Sequence, residues 1–185
     1  MKNSKAEFAH PLDWYRLDRP VSANFVVSND GRYKDESGSS RGISTEIDLQ
    51  HLIHLRRQCD ALVTDGATAR LEGYKPNASR TTYVFTRSET SPGLIALRAD
   101  GEEDLGETFK RLRSSHHAIL VETGPTLLKA FIALGLIDTL FLSVCGHPDA
   151  TESGLNFAKS LLGVIAPPSR STQILDTNLN RFDFY

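Results

Sequence analysis

Short apolar runs alternate with helix-like segments between residues 21 and 145, and this alternation is the feature that most limits the possible folds. The runs VSANFVVS, DALVT and AILV are rich in valine, isoleucine and leucine, as strands are. Segments with apolar residues at helical spacing lie between these runs and after the last one. Because strands that alternate with helices pair in parallel, the pattern predicts an α/β fold with a mostly parallel central sheet and helices on both faces.

The last part of the chain does not continue this alternation. Three strand-like runs, DTLFLSVC, TQILDT and RFDFY, follow with few helical signals between them. The interval 146–168 is predicted to be mostly loop, with one helical turn near residues 157–162. We expect these runs to add antiparallel C-terminal strands to the edge of the sheet.

The bulk properties indicate one soluble domain without a polymeric or membrane partner. The 185 residues suffice for one domain, and we expect an N-terminal arm at 1–19 and a single domain at 20–185. A net charge of -2 gives no general reason to expect nucleic acid or an anionic membrane as partner. No apolar run reaches the length of a membrane span, and the N-terminus has no apolar signal segment. With two cysteines far apart in the sequence, we expect reduced thiols and a cytoplasmic location.

Three turns that directly follow predicted strands are the candidates for a ligand site. They span residues 29–31, 65–68 and 123–125. In an open parallel sheet, ligands bind beyond the carboxyl ends of the strands. The three turns are therefore predicted to face one crevice.

The turn at Gly124 is the strongest of these candidates. A helix is predicted to start at Pro125, whose missing N–H suits the first helical position. The N–H groups of Gly124, Thr126 and Leu127 have no acceptor within that helix. Together with the helix dipole they suit a phosphate or pyrophosphate, and a plain capped helix is the alternative.

Arg56 and Glu122 are predicted to lie near the same crevice. Arg56 falls in the middle of an apolar arc on its predicted helix. The members of that arc are Leu49, Leu52, Ile53, Leu55 and Cys59. An unpaired charge there would cost several kcal/mol, so Arg56 should meet a carboxylate, carbonyl groups or an anionic ligand, unless its side chain extends to the rim. Glu122 ends a strand at this edge and suits the uncharged part of a ligand.

The remaining polar candidates carry weaker signals. Glu72 and Asp30 are acidic turn residues, which are commonly just solvated, and Thr68 is a ligand contact or a helix cap. His51 and His54 are three residues apart on a predicted polar helix face without an obvious third ligand, so no metal site is predicted. The chain contains neither a G-x-G-x-x-G motif nor a P-loop.

The motifs together resemble those of the pyrimidine reductase family of riboflavin biosynthesis. RPVSANFVVSNDGR resembles the family's opening strand, which ends in S-x-D-G-[RK]. SSRGIS and HLRRQCDALVTDGAT are similar to its serine-containing loop, its L-R pair before a D-A strand and its threonine-bearing turn. VETGPTLLKAFIALGLIDTLFL is similar to its E-G-G-P-x-L helix start and the G-L-x-D-E-L that follows. These segments cover most of residues 19–144 in the family's order.

This resemblance implies a dihydrofolate-reductase-like fold and an enzyme that uses NADPH to reduce a phosphoribosylaminouracil to its ribityl form. It implies contacts to the cofactor from Val27, Thr68, Glu72, Gly124, Pro125, Thr126, Leu127 and Leu128. It implies contacts to the small-molecule substrate from Asp30, Ser40, Arg56 and Glu122. It assigns no catalytic residue. Relatives are commonly homodimers, and the apolar C-terminal strands would suit such an interface. Because the chain has no C-x-x-C, the zinc deaminase domain often joined to this family is not expected.

The chain also departs from the family pattern. Asp65 stands where many members have glycine, and Thr123 replaces the first glycine of G-G-P. The segment EGYKPNASR replaces the one that holds the family's substrate-phosphate arginine, for which Arg80 is the candidate here. Two alternatives therefore stay open: a reductase of another pteridine- or pyrimidine-like compound, and a non-catalytic nucleotide-binding module with the same fold.

Overall fold

The computed structural model describes residues 15–184, in which eight strands form one sheet and five α-helices pack around it. The strands are β1 (Val21–Ser28), β2 (Ala61–Asp65), β3 (Thr81–Phe85), β4 (Ile95–Leu97), β5 (Ile119–Glu122), β6 (Thr139–Cys145), β7 (Arg170–Ile174) and β8 (Thr177–Asp183). The helices are α1 (Glu46–Arg56), α2 (Gly66–Glu72), α3 (Glu102–Ser115), α4 (Pro125–Ala133) and α5 (Thr151–Leu162).

The sheet is mostly parallel, as the alternation of strands and helices predicts. Its order is β4-β3-β2-β5-β1-β6-β8-β7. The first six strands pair in parallel with their neighbours, whereas β8 runs antiparallel to both β6 and β7. Both the α/β class and the antiparallel C-terminal strands are therefore confirmed.

Alternate residues of the central strands enter two separate cores, one on each face of the sheet. On the first face, Val121 of β5 belongs to a large core with Phe109 of α3 and Phe131 of α4. On the second face, Leu120 belongs to a smaller core with Leu55 of α1. Because successive side chains of a strand point to opposite faces, the sheet carries helices on both sides, as predicted.

Helix α1 is rotated from the orientation that its sequence predicts, although Leu55 and Cys59 of the predicted apolar arc are buried in the second core. Its buried residues are Asp48, His51 and Leu55. Leu49 and Ile53 of the predicted apolar arc are 45% and 39% exposed, and His51, predicted on the polar face, is 1% exposed. The physical reason is that the second core is small, so part of the apolar side of α1 faces the cavity described below.

Helix α5 was not predicted at its full length. The interval 146–168 was expected to be mostly loop, yet residues 151–162 form three turns of helix. Gly154 lies within this helix and packs against the ends of β1 and β6: a Cβ there would come within 2.6 Å of Val144 and 2.9 Å of the Ser28 carbonyl oxygen. The missing side chain of Gly154 thus permits the close approach of helix and sheet.

The predicted N-terminal arm contributes to the second core at its end. Tyr15 is fully buried, and its hydroxyl donates a 2.8 Å hydrogen bond to the Leu179 carbonyl oxygen. The rest of the arm, residues 1–14, and Tyr185 lie outside the described residues. The edge strand β7 is mostly polar and exposed, so an apolar surface is not found on that strand. No helix within residues 15–184 is long and apolar enough to cross a membrane.

Candidate functional site

A cavity of about 1000 Å³ lies at the carboxyl edge of the parallel strands. Its wall is formed by β1 at residues 24–26, by α1, by α2 and by the turn that leads from β5 into α4. The loop at 38–45 and the segment 73–77 complete it. The position is the one expected for ligands in an open parallel sheet, and the volume suits a large organic ligand.

The cavity brings together seven of the twelve residues that the sequence assigned to ligands. These are Ser40, Arg56, Thr68, Glu72, Glu122, Gly124 and Pro125. They come from segments up to 85 residues apart in the chain, so their convergence depends on the sheet order rather than on local sequence.

Two residues that were predicted to contact a ligand, Val27 in β1 and Asp30 just after it, lie outside the cavity wall. Val27 is fully buried in the first core because it points to the face opposite the cavity, and its neighbour Val26 lines the cavity instead. Asp30 is more than half exposed and pairs with Arg32 at 2.8 Å. Its carboxylate stabilises the turn after β1.

Three predicted residues of α4 also lie outside the wall. Leu128 is fully buried in the first core, and its N–H donates to the Gly124 carbonyl oxygen, which makes it the first N–H inside the helix. Thr126 is exposed, and Leu127 packs partly against the first core. The side chains of these three residues therefore point away from the cavity. Of the five predicted residues at 124–128, Gly124 and Pro125 reach it.

Arg56 forms a hydrogen-bonded cluster with Glu122 and Tyr74. Arg56 Nε lies 2.8 Å from Glu122 Oε1, and its Nη2 lies 2.9 Å from the Tyr74 hydroxyl. Nη2 and the Tyr74 hydroxyl both donate to Glu122 Oε2. Arg56 therefore meets a carboxylate, which is the first of the options that its position in the helix predicts.

The cluster raises the pKa of both Arg56 and Tyr74. Burial opposes the Arg56 charge, but the hydrogen bonds and charge of Glu122 outweigh it and raise the pKa of Arg56. Burial, followed by the Glu122 charge, raises the pKa of the Tyr74 phenol well above its ordinary value. Tyr74 is a site residue that the sequence reasoning missed, because nothing in the local pattern of residues 73–80 indicates its contact with β5.

Asp65 connects the N-terminal ends of α2 and α4. Its carboxylate accepts hydrogen bonds of 2.8 Å from the Thr68 N–H and the Thr68 hydroxyl, and one of 2.6 Å from the Gly124 N–H. Asp65 is therefore the cap of α2, and Thr68 is its partner rather than the cap. The Gly124 N–H, which the sequence assigned to a phosphate, is engaged by this carboxylate.

Glu72 holds the serine-containing loop against α2. Its Oε1 accepts from the Ser39 hydroxyl at 2.9 Å and from the N–H and hydroxyl of Ser40 at 3.0 and 3.1 Å. Arg41 Nε donates to the second oxygen at 3.1 Å. Burial raises the pKa of Glu72, but these hydrogen bonds outweigh it and the net change lowers the pKa. Glu72 and Ser40 thus act together in shaping the cavity wall.

Three cationic side chains in the wall have no carboxylate partner among residues 15–184. Lys34, Lys75 and Arg80 line the cavity. Arg80 Nη1 donates to the Arg56 carbonyl oxygen at 3.1 Å, and its Nε is buried without a hydrogen-bond partner. The Thr123 hydroxyl, also in the wall, is buried and has no partner either. These groups favour a ligand with negative charge and hydrogen-bonding oxygens.

The wall therefore fits a phosphate-bearing dinucleotide, with one departure. Gly124 has φ -61°, so its backbone suits any residue, and a Cβ there would meet only Asp65, at 3.5 Å. The glycine leaves open space in front of the turn. Asp65 is the departure, because its carboxylate opposes a phosphate at that position. Within the described residues, no group of three or more His, Cys, Asp or Glu side chains is arranged to hold a metal ion.

Comparison with solved structures identifies the fold. A pyrimidine reductase-like protein from Corynebacterium diphtheriae is similar, with a TM-score of 0.66 and 18% identity, over 95% of both chains. Dihydrofolate reductase from Enterococcus faecalis, complexed with NADP(H), matches with a TM-score of 0.62 and 14% identity over 89% of this chain and 95% of that one. At these identities the similarity establishes a dihydrofolate-reductase-like fold.

A third solved structure is a two-function protein from Thermotoga maritima, a diaminohydroxyphosphoribosylaminopyrimidine deaminase and 5-amino-6-(5-phosphoribosylamino)uracil reductase. It matches with a TM-score of 0.62 and 17% identity over 89% of this chain, which spans 56% of that protein. No curated protein sequence matches the chain. The model of the RibD C-terminal domain family matches residues 19–145, which include β1, β5 and the turns at 65–68 and 123–125. The chain belongs to the RibD C-terminal domain family.

Proposed function

We propose that the chain is an NADPH-dependent reductase of a pyrimidine or related heterocycle that carries a sugar phosphate. Family membership supports a pyrimidine-type reductase of riboflavin biosynthesis. The observation that carries the proposal is the convergence of the Gly124 turn, the Arg56–Glu122 pair and cations without a carboxylate partner among residues 15–184 in one large cavity. The first substrate to test is 5-amino-6-(5-phosphoribosylamino)uracil, which the Thermotoga maritima protein is named for reducing.

The cofactor is assigned to the part of the cavity between α2 and α4. The wall there contains Thr68, Gly124 and Pro125, together with the unpartnered Thr123 hydroxyl. When bound, the nicotinamide would supply a hydride, and the protein would supply position and electrostatics. The Enterococcus faecalis reductase with the same fold was solved with NADP(H), which supports a nicotinamide cofactor here.

The substrate is assigned to the part of the cavity beside α1. Arg80 offers a cation for the sugar phosphate, and Ser40 offers a hydroxyl already oriented by Glu72. Leu49 and Leu52 give this side an apolar surface on which a heterocycle packs with exclusion of water. The Arg56–Glu122 pair, whose charges offset each other, joins α1 to β5 beneath the proposed substrate position.

A second candidate function is a nucleotide-binding module without catalysis. The specific observation in its favour is the Asp65 carboxylate on the Gly124 N–H, because this carboxylate weakens phosphate binding where a reductase needs it. The two candidates differ in whether bound NADPH is oxidised by a substrate.

The test is a titration with NADPH, read by cofactor fluorescence, on the wild type and two variants. Gly124→Ala is the matched control, because a Cβ there meets nothing closer than 3.5 Å; it should bind within about threefold of wild type. Gly124→Asp adds bulk and a second carboxylate at the turn and should bind at least about fivefold more weakly, since a further charge some 4 Å away is worth about 1 to 4 kcal/mol.

Turnover then separates the two candidate functions. Wild-type protein mixed with NADPH and 5-amino-6-(5-phosphoribosylamino)uracil should oxidise the cofactor in proportion to the product formed. Saturable binding without turnover of this or related heterocycles would support the module. Absence of NADPH binding at millimolar concentration would contradict the reductase.

A further inference from the structure

Asn24 is a buried polar residue of the cavity wall to which neither the sequence reasoning nor the family resemblance gave a ligand role. It lies in the middle of β1 and is 8% exposed. Its neighbours Ala23 and Phe25 belong to the first core. Since successive side chains of a strand point to opposite faces, the Asn24 side chain lies on the face that carries α1, where it lines the cavity.

The Asn24 amide has no hydrogen-bond partner among residues 15–184. Its Oδ1 is buried and unpartnered, and its Nδ2 makes no hydrogen bond to a described residue. A buried amide in this state costs free energy, because folding removes its water without replacing the hydrogen bonds. Buried polar atoms without partners are uncommon in folded proteins. Asn24 therefore marks a position where a bound molecule supplies the missing bonds.

The side chains beside Asn24 on the same face cannot satisfy its amide. The parallel register of β1 and β5 places Glu122 next to it. Both carboxylate oxygens of Glu122 are occupied, Oε1 by Arg56 and Oε2 by Arg56 and Tyr74. On the other side, Asn24 is paired with Phe141 of β6, whose side chain has no polar atom. The amide is thus left to face the cavity.

The cavity wall around Asn24 suits the flat face of an uncharged ring. Val26, two residues further along the same face of β1, lines the cavity and is apolar. Leu49 and Leu52 of α1 line it as well. A heterocycle that packs on these side chains excludes water from the wall. Its edge is then the part that pairs with the Asn24 amide.

A primary amide recognises a particular kind of ring edge. Its oxygen accepts a hydrogen bond and its NH₂ group donates one, in a fixed planar geometry. The complementary edge has a ring N–H next to a ring carbonyl, as in a pyrimidinedione. A ring that is alkylated at this nitrogen cannot donate, so it would leave the buried oxygen of the amide unpaired.

We propose that Asn24 recognises the heterocycle of the substrate, with Oδ1 accepting from a ring N–H and Nδ2 donating to the adjacent ring carbonyl. The inference rests on the proposed function. In 5-amino-6-(5-phosphoribosylamino)uracil, ring atom C6 bears the amino-linked sugar, which must face the cofactor to be reduced. The ring atom opposite C6 is N3, which carries a hydrogen and lies between two carbonyl groups. We assign this edge of the ring to Asn24.

Calorimetric titration with the ribityl product of the proposed reaction and with its N3-methyl derivative tests the pairing. Wild-type protein should bind the methylated compound at least about tenfold more weakly, because methylation removes the ring N–H. Asn24→Leu keeps the side-chain volume without a polar atom and should bind the unmethylated product about tenfold more weakly than wild type. This variant should bind the two compounds within about threefold of each other, and its affinity for NADPH should equal that of wild type.

Asn178→Leu is the matched control. Asn178 lies on β8, is also 8% exposed and does not line the cavity. Its Oδ1 accepts hydrogen bonds from Ser171 Oγ at 3.3 Å and from Asn180 Nδ2 at 2.7 Å. The same substitution at this position should leave the preference for the unmethylated product as it is in wild type.

Thermal unfolding without ligand provides a readout that does not depend on binding. Asn24→Leu removes a buried amide that has no partners, so it should unfold at the same temperature as wild type or higher. Asn178→Leu removes an amide that is hydrogen-bonded and should unfold at a lower temperature. A residue kept for binding is thereby distinguished from one kept for the fold.

The outcomes separate failure of this inference from failure of the proposed function. Wild-type protein that turns over the heterocycle but binds both compounds equally refutes the role of Asn24 alone. An Asn24→Leu variant that keeps the wild-type preference refutes it too, as does one that unfolds below the wild-type temperature, since the amide would then be satisfied inside the folded chain. Wild-type protein that binds neither compound and turns over no heterocycle refutes the reductase and, with it, this inference.

Discussion

At the scale of single residues, the Asp65 carboxylate occupies the Gly124 N–H at the proposed phosphate position. Its Oδ1 caps α2 through the Thr68 N–H, whereas its Oδ2 accepts from the Gly124 N–H. Asparagine is an equally good cap. Its oxygen would keep the bond to Thr68, and its NH₂ group would release the Gly124 N–H. We therefore expect Asp65→Asn to bind NADPH about tenfold more tightly, the effect of removing one repulsive charge of about 1.4 kcal/mol.

The fluorescence titration described above measures this effect. Asp149→Asn is the matched control, because the Asp149 side chain is 90% exposed and does not line the cavity. Its affinity for NADPH should equal that of the wild type. Weaker binding by Asp65→Asn would mean that the carboxylate is needed to shape the turn, and the idea of repulsion would be wrong.

The Arg56–Glu122–Tyr74 cluster should behave as one unit in stability measurements. Tyr74→Phe removes one donor to Glu122 and should lower the free energy of unfolding by about 1 kcal/mol. Glu122→Gln leaves Arg56 without its ion-pair partner at 27% exposure and should cost about 2 to 3 kcal/mol. The double variant should lose less unfolding free energy than the sum of the losses in the two single variants, by at least about 0.5 kcal/mol. Urea denaturation checks this, and strict additivity would show that Tyr74 and Glu122 act independently.

His51 should make stability depend on pH. Its pKa is lowered to about 3 by burial, against 6.5 in the unfolded chain. Between these two values the unfolded state binds the proton and the folded state does not, so the free energy of unfolding falls as pH decreases, by about 2 kcal/mol from pH 7 to pH 5. Asp48 acts in the opposite direction, because its raised pKa makes the folded state hold a proton that the unfolded chain has lost.

The difference between wild type and His51→Leu isolates the histidine, since both proteins retain Asp48. The slope of the free energy of unfolding against pH should be less positive in His51→Leu between pH 5 and 6.5. Equal slopes in the two proteins would show that folding does not lower the pKa of His51.

At the scale of elements, the sequence predicts those features that depend on local pattern. β1 and the Pro125 start of α4 are both confirmed, because turns and β-branched runs act within a few residues. Most of helix α5 was missed. Gly154 lies within it because the helix approaches β1 and β6 closely there, and this contact is not visible in the local sequence. The Asp65–Gly124 bond was beyond reach for the same reason, as it joins residues 59 positions apart.

The orientation of α1 is the clearest case in which packing overrides a local pattern, and it can be tested. Leu55 is fully buried in the second core, whereas Ile53 is 39% exposed. Leu55→Ala should therefore cost about 2 to 5 kcal/mol of unfolding free energy. Ile53→Ala, the same kind of truncation two residues away, should cost less than about 1 kcal/mol. Thermal and urea denaturation measure both. Similar losses for the two variants would restore the apolar arc that the sequence alone predicts.

At the scale of the whole molecule, the two cores are coupled by the sheet between them. Tyr15 and Phe131 are both fully buried, Tyr15 in the second core and Phe131 in the first. Strand β5 contributes Leu120 to one core and Val121 to the other, so neither core can come apart while this strand keeps its partners β1 and β2. The cavity lies where these strands end, so its geometry depends on both cores.

We therefore expect residues on opposite faces to share one cooperative unfolding transition. Tyr15→Ala and Phe131→Ala should each lower the unfolding free energy by about 3 to 5 kcal/mol and should each leave a single transition. The midpoint seen by circular dichroism should coincide with that for loss of NADPH binding, corrected for ligand linkage. If Tyr15→Ala instead separates the two midpoints, the second core unfolds by itself. The wall formed by α1, which includes Asp48 and Arg56, would then be lost before the Gly124 turn, and NADPH would still bind to a protein that no longer holds its substrate.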